Sequence, residues 1–305
     1  MVYGLFALGF KSTIWSAGVS SVFTRGRSLA LAVMLMGAAI GQSFTPLVAN
    51  WLIKDHGWRA AYGWIGAGWG GFALLLVLLF FVDARAHARR AAPAAAKPPT
   101  IELPGMTLRE ALRDRRIQRI AIGNLVLAIM GSGVSVHLVP IIAGLGLDRD
   151  SAVGIAVFAG IGGIVGKLLT GVVMDHVEGR LIPFLSFAVA AIGYALLLGH
   201  FPGRAVLAAA AFILGFASGA GLQVTTYIVS RYAGLRAFGA IFGTISSMMM
   251  CGTAIGPLLT GAVYDATGSY ATLLLAAVPV VLVASLAFLG LGPYPDWNKR
   301  PEGAA

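Results

Sequence analysis

A single cysteine, Cys251, stands among 305 residues, which excludes an internal disulfide, a cysteine-built zinc site and a dithiol redox centre. Charge is nearly as scarce. Only 11% of residues are Asp, Glu, Lys or Arg, where a soluble domain carries about 25%. Acids are the rarer sign, 12 against 22 Lys and Arg. The chain has no glycine-rich phosphate loop ending in Lys-Ser or Lys-Thr, no serine elbow, and no His/Asp/Glu cluster inside an apolar run. ATP hydrolysis, metal catalysis and serine chemistry therefore have no residues to rest on. No catalytic residue, metal or cofactor is assigned, and an enzyme is not expected. What abounds is apolar: 58% hydrophobic residues, 41 Gly, and a mean hydropathy of +0.85.

That surplus is arranged in long runs. A bilayer core about 30 Å thick takes roughly 20 apolar residues per helix. Nine stretches qualify: 2–23, 29–53, 61–82, 118–145, 151–174, 181–200, 205–230, 238–263 and 271–292. Runs such as 72–82 do not alternate apolar with polar, which excludes barrel strands. The expected fold class is an all-α membrane protein, a polytopic bundle of about nine transmembrane helices. The first run has no basic leader and carries Lys11 in its middle, so it reads as a span, not a signal peptide. With the first residue outside, the inner connections hold 16 of the 22 Lys and Arg and the outer ones four. This positive-inside bias predicts an outside N-terminus and a cytoplasmic C-terminus, in a bacterial inner membrane.

The longest polar segment, 84–117, is Ala/Pro-rich and then basic. It reads as a cytoplasmic linker with a short amphipathic helix around 107–116. It lacks the aromatic interleaving of nucleic-acid binders, so no nucleic-acid partner is expected. The two sides of this linker are related. Adding 211 takes Arg25 to Arg236, Gly41 to Gly252, Pro46 to Pro257 and Gly57 to Gly268. Two copies in the same orientation imply halves related by an axis along the membrane normal. Three helices of the second half have no partner in the first. The expected organisation is a partial bundle of three helices (1–83), the linker, a six-helix bundle (118–293) and a tail (294–305). The three-plus-six count predicts that three N-terminal helices are missing.

With that repeat in place, the chain resembles the major facilitator superfamily from the fourth helix of that family onward. Gly171-Val-Val-Met-Asp175-His176-Val-Glu-Gly179-Arg180 is similar to the family's cytoplasmic loop motif, Gly-x-x-x-Asp-Arg-x-Gly-Arg. His176 stands for the usual Arg, and Gly179 comes one residue late. The resemblance implies a gating role for Gly171, Asp175, Gly179 and Arg180. His137-Leu-Val-Pro140, Arg231-Tyr232 through Gly239, Gly256-Pro257 through Tyr270, and Gly57-Trp58-Arg59 through Tyr62 resemble segments of the monocarboxylate and oxalate/formate antiporter branch. The function so implied is secondary transport of a small carboxylate by alternating access, driven by a proton or a counter-anion. Export of an unrelated compound and a transport-inactive fragment are the alternatives.

Charge inside a membrane costs at least about 2.5–3.5 kcal/mol, so intramembrane ions mark function first. There are two, Lys11 and Lys167, and all 12 acids fall in loops or at span ends. An anionic substrate is one counter-charge for these lysines; the other readings are snorkelling for Lys167 and an acid on absent helices for Lys11. In the resembling carriers the position of Lys167 is commonly Arg. Gln223 and Tyr227 are neutral substrate-contact candidates, with Tyr3, Asn124 and Ser132 behind them. His137 at the outer mouth is a candidate for proton coupling, against a packing role.

Overall fold

The computed structural model describes residues 27–80, 104–176, 181–199, 203–295 and 297. The chain divides into two compact units, 1–100 and 101–305. Eight of the nine apolar runs fall on helices, and the run 2–23 lies outside the described residues. Five of the helices are long and apolar enough to cross a membrane, and Leu181–Leu197 and Ala271–Leu286 are shorter apolar helices.

In the first unit the runs 29–53 and 61–82 form one element, α1 (Arg27–Phe80), folded at Gly57. Gly57 has φ 75° and ψ 165°, a left-handed backbone that a side chain would strain. Directly after it, the Arg59 guanidinium lies 4.2 Å from the centre of the Trp58 ring, and Trp58 meets Tyr62 edge-on at 6.4 Å. The motif Gly57-Trp58-Arg59 through Tyr62 is thus a turn followed by a stacked cation.

The second unit contains α2 (Leu108–Arg113), α3 (Arg115–Gly144), α4 (Arg149–His176), α5 (Leu181–Leu197), α6 (Arg204–Ala233), α7 (Phe238–Thr267) and α8 (Ala271–Leu286). The short helix expected around 107–116 is present, but it stops at Asp114. Thr107 and Glu110 form a reciprocal capping box at its start. Asp114 then ends α2 and begins α3, its Oδ1 accepting from Arg116 N at 2.7 Å and Ile117 N at 3.2 Å. One residue with extended backbone separates two helices that basic composition alone would merge. The last run is also shorter than expected. α8 ends at Leu286, because the chain turns through Gly290 (φ 67°) and Gly292 (φ 80°).

The repeat has a geometric counterpart. Pro257 lies inside α7 as Pro46 lies inside α1, and Gly268 closes α7 with φ 69° where Gly57 has 75°. In both copies the proline precedes a left-handed glycine by eleven residues.

Two helix pairs hold the second unit together through glycine. A methyl built on Gly162 or Gly166 of α4 would meet the Phe212 or Phe216 backbone of α6. Gly215 and Gly219 of α6 face the carbonyls of Ala159 and Gly163 in the same way. On the other pair, Gly252 of α7 faces the Leu125 carbonyl, and Gly256 lies against Ile129, Ser132 and Gly133 of α3. Contacts advance in the same direction along both members, so each pair is parallel. Lipid supplies no hydrophobic drive between helices, so dispersion at this close range is what holds them. Around these seams lie two buried apolar clusters, one about Ile142, Tyr194 and Leu274, the other about Ile120, Ile228 and Phe288.

Two outcomes follow. Gly215→Leu is expected to destabilise the chain by about 1–3 kcal/mol or more, whereas Gly261→Leu, with nothing within 4 Å, is tolerated; thermal melts in detergent compare them. Bonds to Thr107 hold the Glu110 carboxyl below its ordinary 4.5, helped by Arg236. A lowered carboxylate stabilises the fold above its unfolded value and loses that contribution as pH falls through its folded value. Protection factors of amides 107–113, corrected for the intrinsic pH dependence of exchange, are therefore expected to fall selectively below about pH 4.5, and Glu110→Gln to remove that pH dependence.

Candidate functional site

The α4–α6 seam sets the level of the polar residues. Ala159 faces Gly215 and Gly163 faces Gly219; one further helical step of four brings Lys167 to the level of Gln223. Lys167 lies on the stripe between Gly163 and Gly171, and both of those glycines approach α6. Its side chain is half-buried. Gln223 Oε1 is buried and accepts no hydrogen bond among the described residues, and it lies 3.6 Å from the point where a Gly171 side chain would begin. Past the close approach of Ala159 to Gly166, the next turn carries a lysine on α4 and an amide on α6.

The other expected residues fall elsewhere. Tyr227 is one turn beyond Gln223, level with Gly171. Its ring meets Tyr294 edge-on at 6.4 Å, and the Arg231 guanidinium lies 5.9 Å from its centre. Arg231 lies closer to Tyr294, at 4.8 Å, and its carbonyl accepts from Trp297 Nε1 at 3.0 Å. This places Tyr227 in an aromatic cluster near the end of α6. Asp175 and His176 form the last turn of α4. Lys11, Tyr3, Gly179 and Arg180 lie outside the described residues.

His137 is on α3, away from Lys167 along the helices. Its Nδ1 lies 3.0 Å from the Gly133 carbonyl oxygen, an acceptor, so Nδ1 carries the proton and Nε2 is the basic nitrogen of the neutral ring. The ring lies 5.7 Å from Tyr270, which stacks on Tyr264 at 4.4 Å. Gly133 also marks the close approach of α3 to α7 at Gly256 and Thr260, so the histidine is anchored at a rigid crossing.

Asn124 is not available to a ligand. It is 1% exposed, its Nδ2 donates to the Ile120 carbonyl at 2.9 Å, and its Oδ1 accepts from Thr225 Oγ1 at 2.6 Å. Thr225 Oγ1 also lies 2.8 Å from the Gly221 carbonyl. Asn124 thus ties α3 to α6 through a satisfied polar contact. Ser132 bonds the Ile129 carbonyl at 3.3 Å and lies against Gly256. Sequence reasoning missed Thr225, since nothing in the letters links it to a residue 101 positions earlier. Among the described residues no group of three His, Cys, Asp or Glu could hold a metal.

Comparison with known proteins gives the geometry its context. The model of the Major Facilitator Superfamily matches residues 1–203 and 160–305. The chain is 27% identical over 287 residues to monocarboxylate transporter 13 of Bos taurus, covering 92% of this chain and 63% of that protein. It is 29% identical over 152 residues to the multidrug efflux pump Tap of Mycobacterium tuberculosis, covering 47% of this chain and 36% of the pump. A bacterial homolog of the human lysosomal transporter Spinster, solved inward-facing and unoccupied, has the same fold, with a TM-score of 0.57 at 17% identity over 92% of this chain and 75% of its own. The chain thus spans less than two thirds of the length of the monocarboxylate transporters it matches.

The Asn124–Thr225 contact yields a sharp expectation. Thr225→Val keeps the shape but leaves a buried amide oxygen without its donor, at a cost of about 1–3 kcal/mol. Thr225→Ser, which keeps the hydroxyl, is expected to cost less. Melting temperatures of the two variants in one detergent decide it.

Proposed function

The chain belongs to the Major Facilitator Superfamily, a multi-pass membrane family, and from that premise we propose that it is a secondary transporter that moves a small organic anion, a carboxylate such as a monocarboxylate, oxalate or formate, by alternating access. The observation that carries the reading is the level shared by Lys167 and Gln223, one helical step of four beyond the Gly163–Gly219 approach of α4 and α6. An ammonium group offers charge and an amide offers directional hydrogen bonds, and a carboxylate accepts from both. Similarity to monocarboxylate transporter 13 over 92% of the chain supports the same substrate class.

In this reading Lys167 neutralises the anion and Gln223 orients it. Lys11, outside the described residues, is a further substrate-binding candidate from the sequence. Tyr227 stands one turn nearer the gating motif of Gly171, Asp175, Gly179 and Arg180. Proton symport or anion exchange supplies the drive, with His137 Nε2 taking up the proton in the first case. Positive-inside counting supports an outside start and a cytoplasmic C-terminus in a bacterial cell membrane. The second reading, export of a larger amphipathic compound, is favoured by the similarity of half the chain to the efflux pump.

In proteoliposomes the chain is expected to take up labelled formate, oxalate or lactate, with competition from other carboxylates and none from neutral analogues. Lys167→Gln is expected to lower that flux roughly tenfold or more, the size of a lost charged hydrogen bond, and Lys167→Arg to retain it. Flux indifferent to Lys167→Gln removes the assignment. Carboxylate-independent efflux of a neutral dye selects the exporter.

A further inference from the structure

Beside α2 runs a groove of about 230 Å³, lined by Leu108, Ala111 and Leu112 of α2, Ile122 of α3, and Ile241 and Met248 of α7. Its walls are apolar, and Leu112 and Ile122 are 52% and 58% exposed. Five arginines stand within eleven residues here: Arg109, Arg113, Arg115, Arg116 and Arg119. The same stretch holds two acids, and both are engaged by backbone. Glu110 Oε2 accepts from Thr107 N at 2.8 Å. Asp114 Oδ1 accepts from Arg116 N and Ile117 N.

Two of the arginines are also occupied. Arg116 lies 6.0 Å from the centre of the Tyr232 ring. Arg119 donates to the Leu289 carbonyl at 2.7 Å and the Gly290 carbonyl at 3.3 Å. Arg109, Arg113 and Arg115 are exposed. Arg109 and Arg113 share a helix face four residues apart, and at about 100° per residue Arg109 stands beside Leu112 at the edge of the groove. Five arginines against two acids leave an excess of positive charge beside a greasy channel at the end of a helix bundle, which suits a lipid with a negative head.

We infer that this end of the second unit binds an anionic glycerophospholipid, its acyl chain in the groove beside α2 and its phosphate on Arg109, Arg113 and Arg115. Guanidinium forks suit phosphate oxygens, and α2, pinned by its capping box, holds two of them at fixed spacing. The inference requires only that the helices lie in a bilayer; it is independent of what the chain transports, so failure of the carboxylate reading leaves it standing.

The test uses the full chain in nanodiscs of phosphatidylcholine mixed equally with phosphatidylglycerol, with the lipid retained after detergent extraction and washing quantified by mass spectrometry. Phosphatidylglycerol is expected to be enriched about tenfold over phosphatidylcholine, given the attraction each arginine exerts near a surface. The triple variant R109Q/R113Q/R115Q is expected to lose the enrichment while keeping its elution volume. Thr244→Phe, which fills the groove, is expected to lower retention of both lipids. On the unaltered chain, high salt is expected to release phosphatidylglycerol selectively, a measurement that needs no variant to fold. Equal retention of the two lipids overturns the inference, as does enrichment that survives either the triple variant or high salt. Inorganic phosphate displacing phosphatidylglycerol equally from the unaltered chain and from Thr244→Phe overturns the lipid assignment in favour of a headgroup-only site.

Discussion

Backbone contact through glycine is the constraint on which the second unit depends. Apolar side chains gain nothing by leaving lipid for one another, so helices associate only where surfaces fit at van der Waals range. Gly162, Gly166, Gly215 and Gly219 provide that fit between α4 and α6, and Gly252, Gly256 and Gly133 between α3 and α7. Each pair joins alternate spans and is therefore parallel. The two pairs are tied by the Asn124–Thr225 hydrogen bond from α3 to α6. The abundance of glycine follows from this architecture.

Most polar groups of the helices follow a second rule, local satisfaction by the backbone, with Gln223 Oε1 an exception. Hydroxyls within helices bond the carbonyl one turn back, as do Thr226, Thr244, Ser247, Thr253, Thr267 and Ser285. Carboxylates sit at helix starts, where free N–H groups and the helix dipole favour them. Glu110, Asp114 and Asp148 all bond backbone N–H groups there. Along 109–119 two such acids stand against five arginines, and the positive edge of the second unit is the consequence.

Much of this was legible in the letters. Long apolar runs predict helices because a bilayer sets their length, and eight of those runs are helical. The repeat was readable at Gly57 and Gly268, and both take a positive φ that favours glycine, with ψ of 165° and 6° turning the chain differently in the two copies. Asp114 was not readable as a break. Between Arg113 and Arg115 it looks like one more surface charge, and only its bonds to Arg116 and Ile117 reveal a cap. The end of α8 was hidden for the opposite reason, since Ala287 to Leu291 stays apolar while the backbone turns away. At the candidate site, charge within a span and likeness to known carriers selected Lys167, and a side-chain amide within a span selected Gln223. Their common level depends on which glycines of two distant segments meet, a matter of register that no single segment encodes. Asn124 was selected on the same ground as Gln223, and burial reassigned it to structure.

The shape of the α4–α6 seam bears on how such a site can move. From Ala159 to Gly166 the two backbones touch, so parting them there would forfeit the contacts that hold the pair. Gly171 approaches α6 again, at Gln223, so the two helices stay together past Lys167. Rotation of the pair as one body keeps all of these contacts, whereas sliding or parting gives them up. Alternating access of the kind proposed above would then leave the spacing of Lys167 and Gln223 unchanged, which is the requirement that binding in both states places on a carrier.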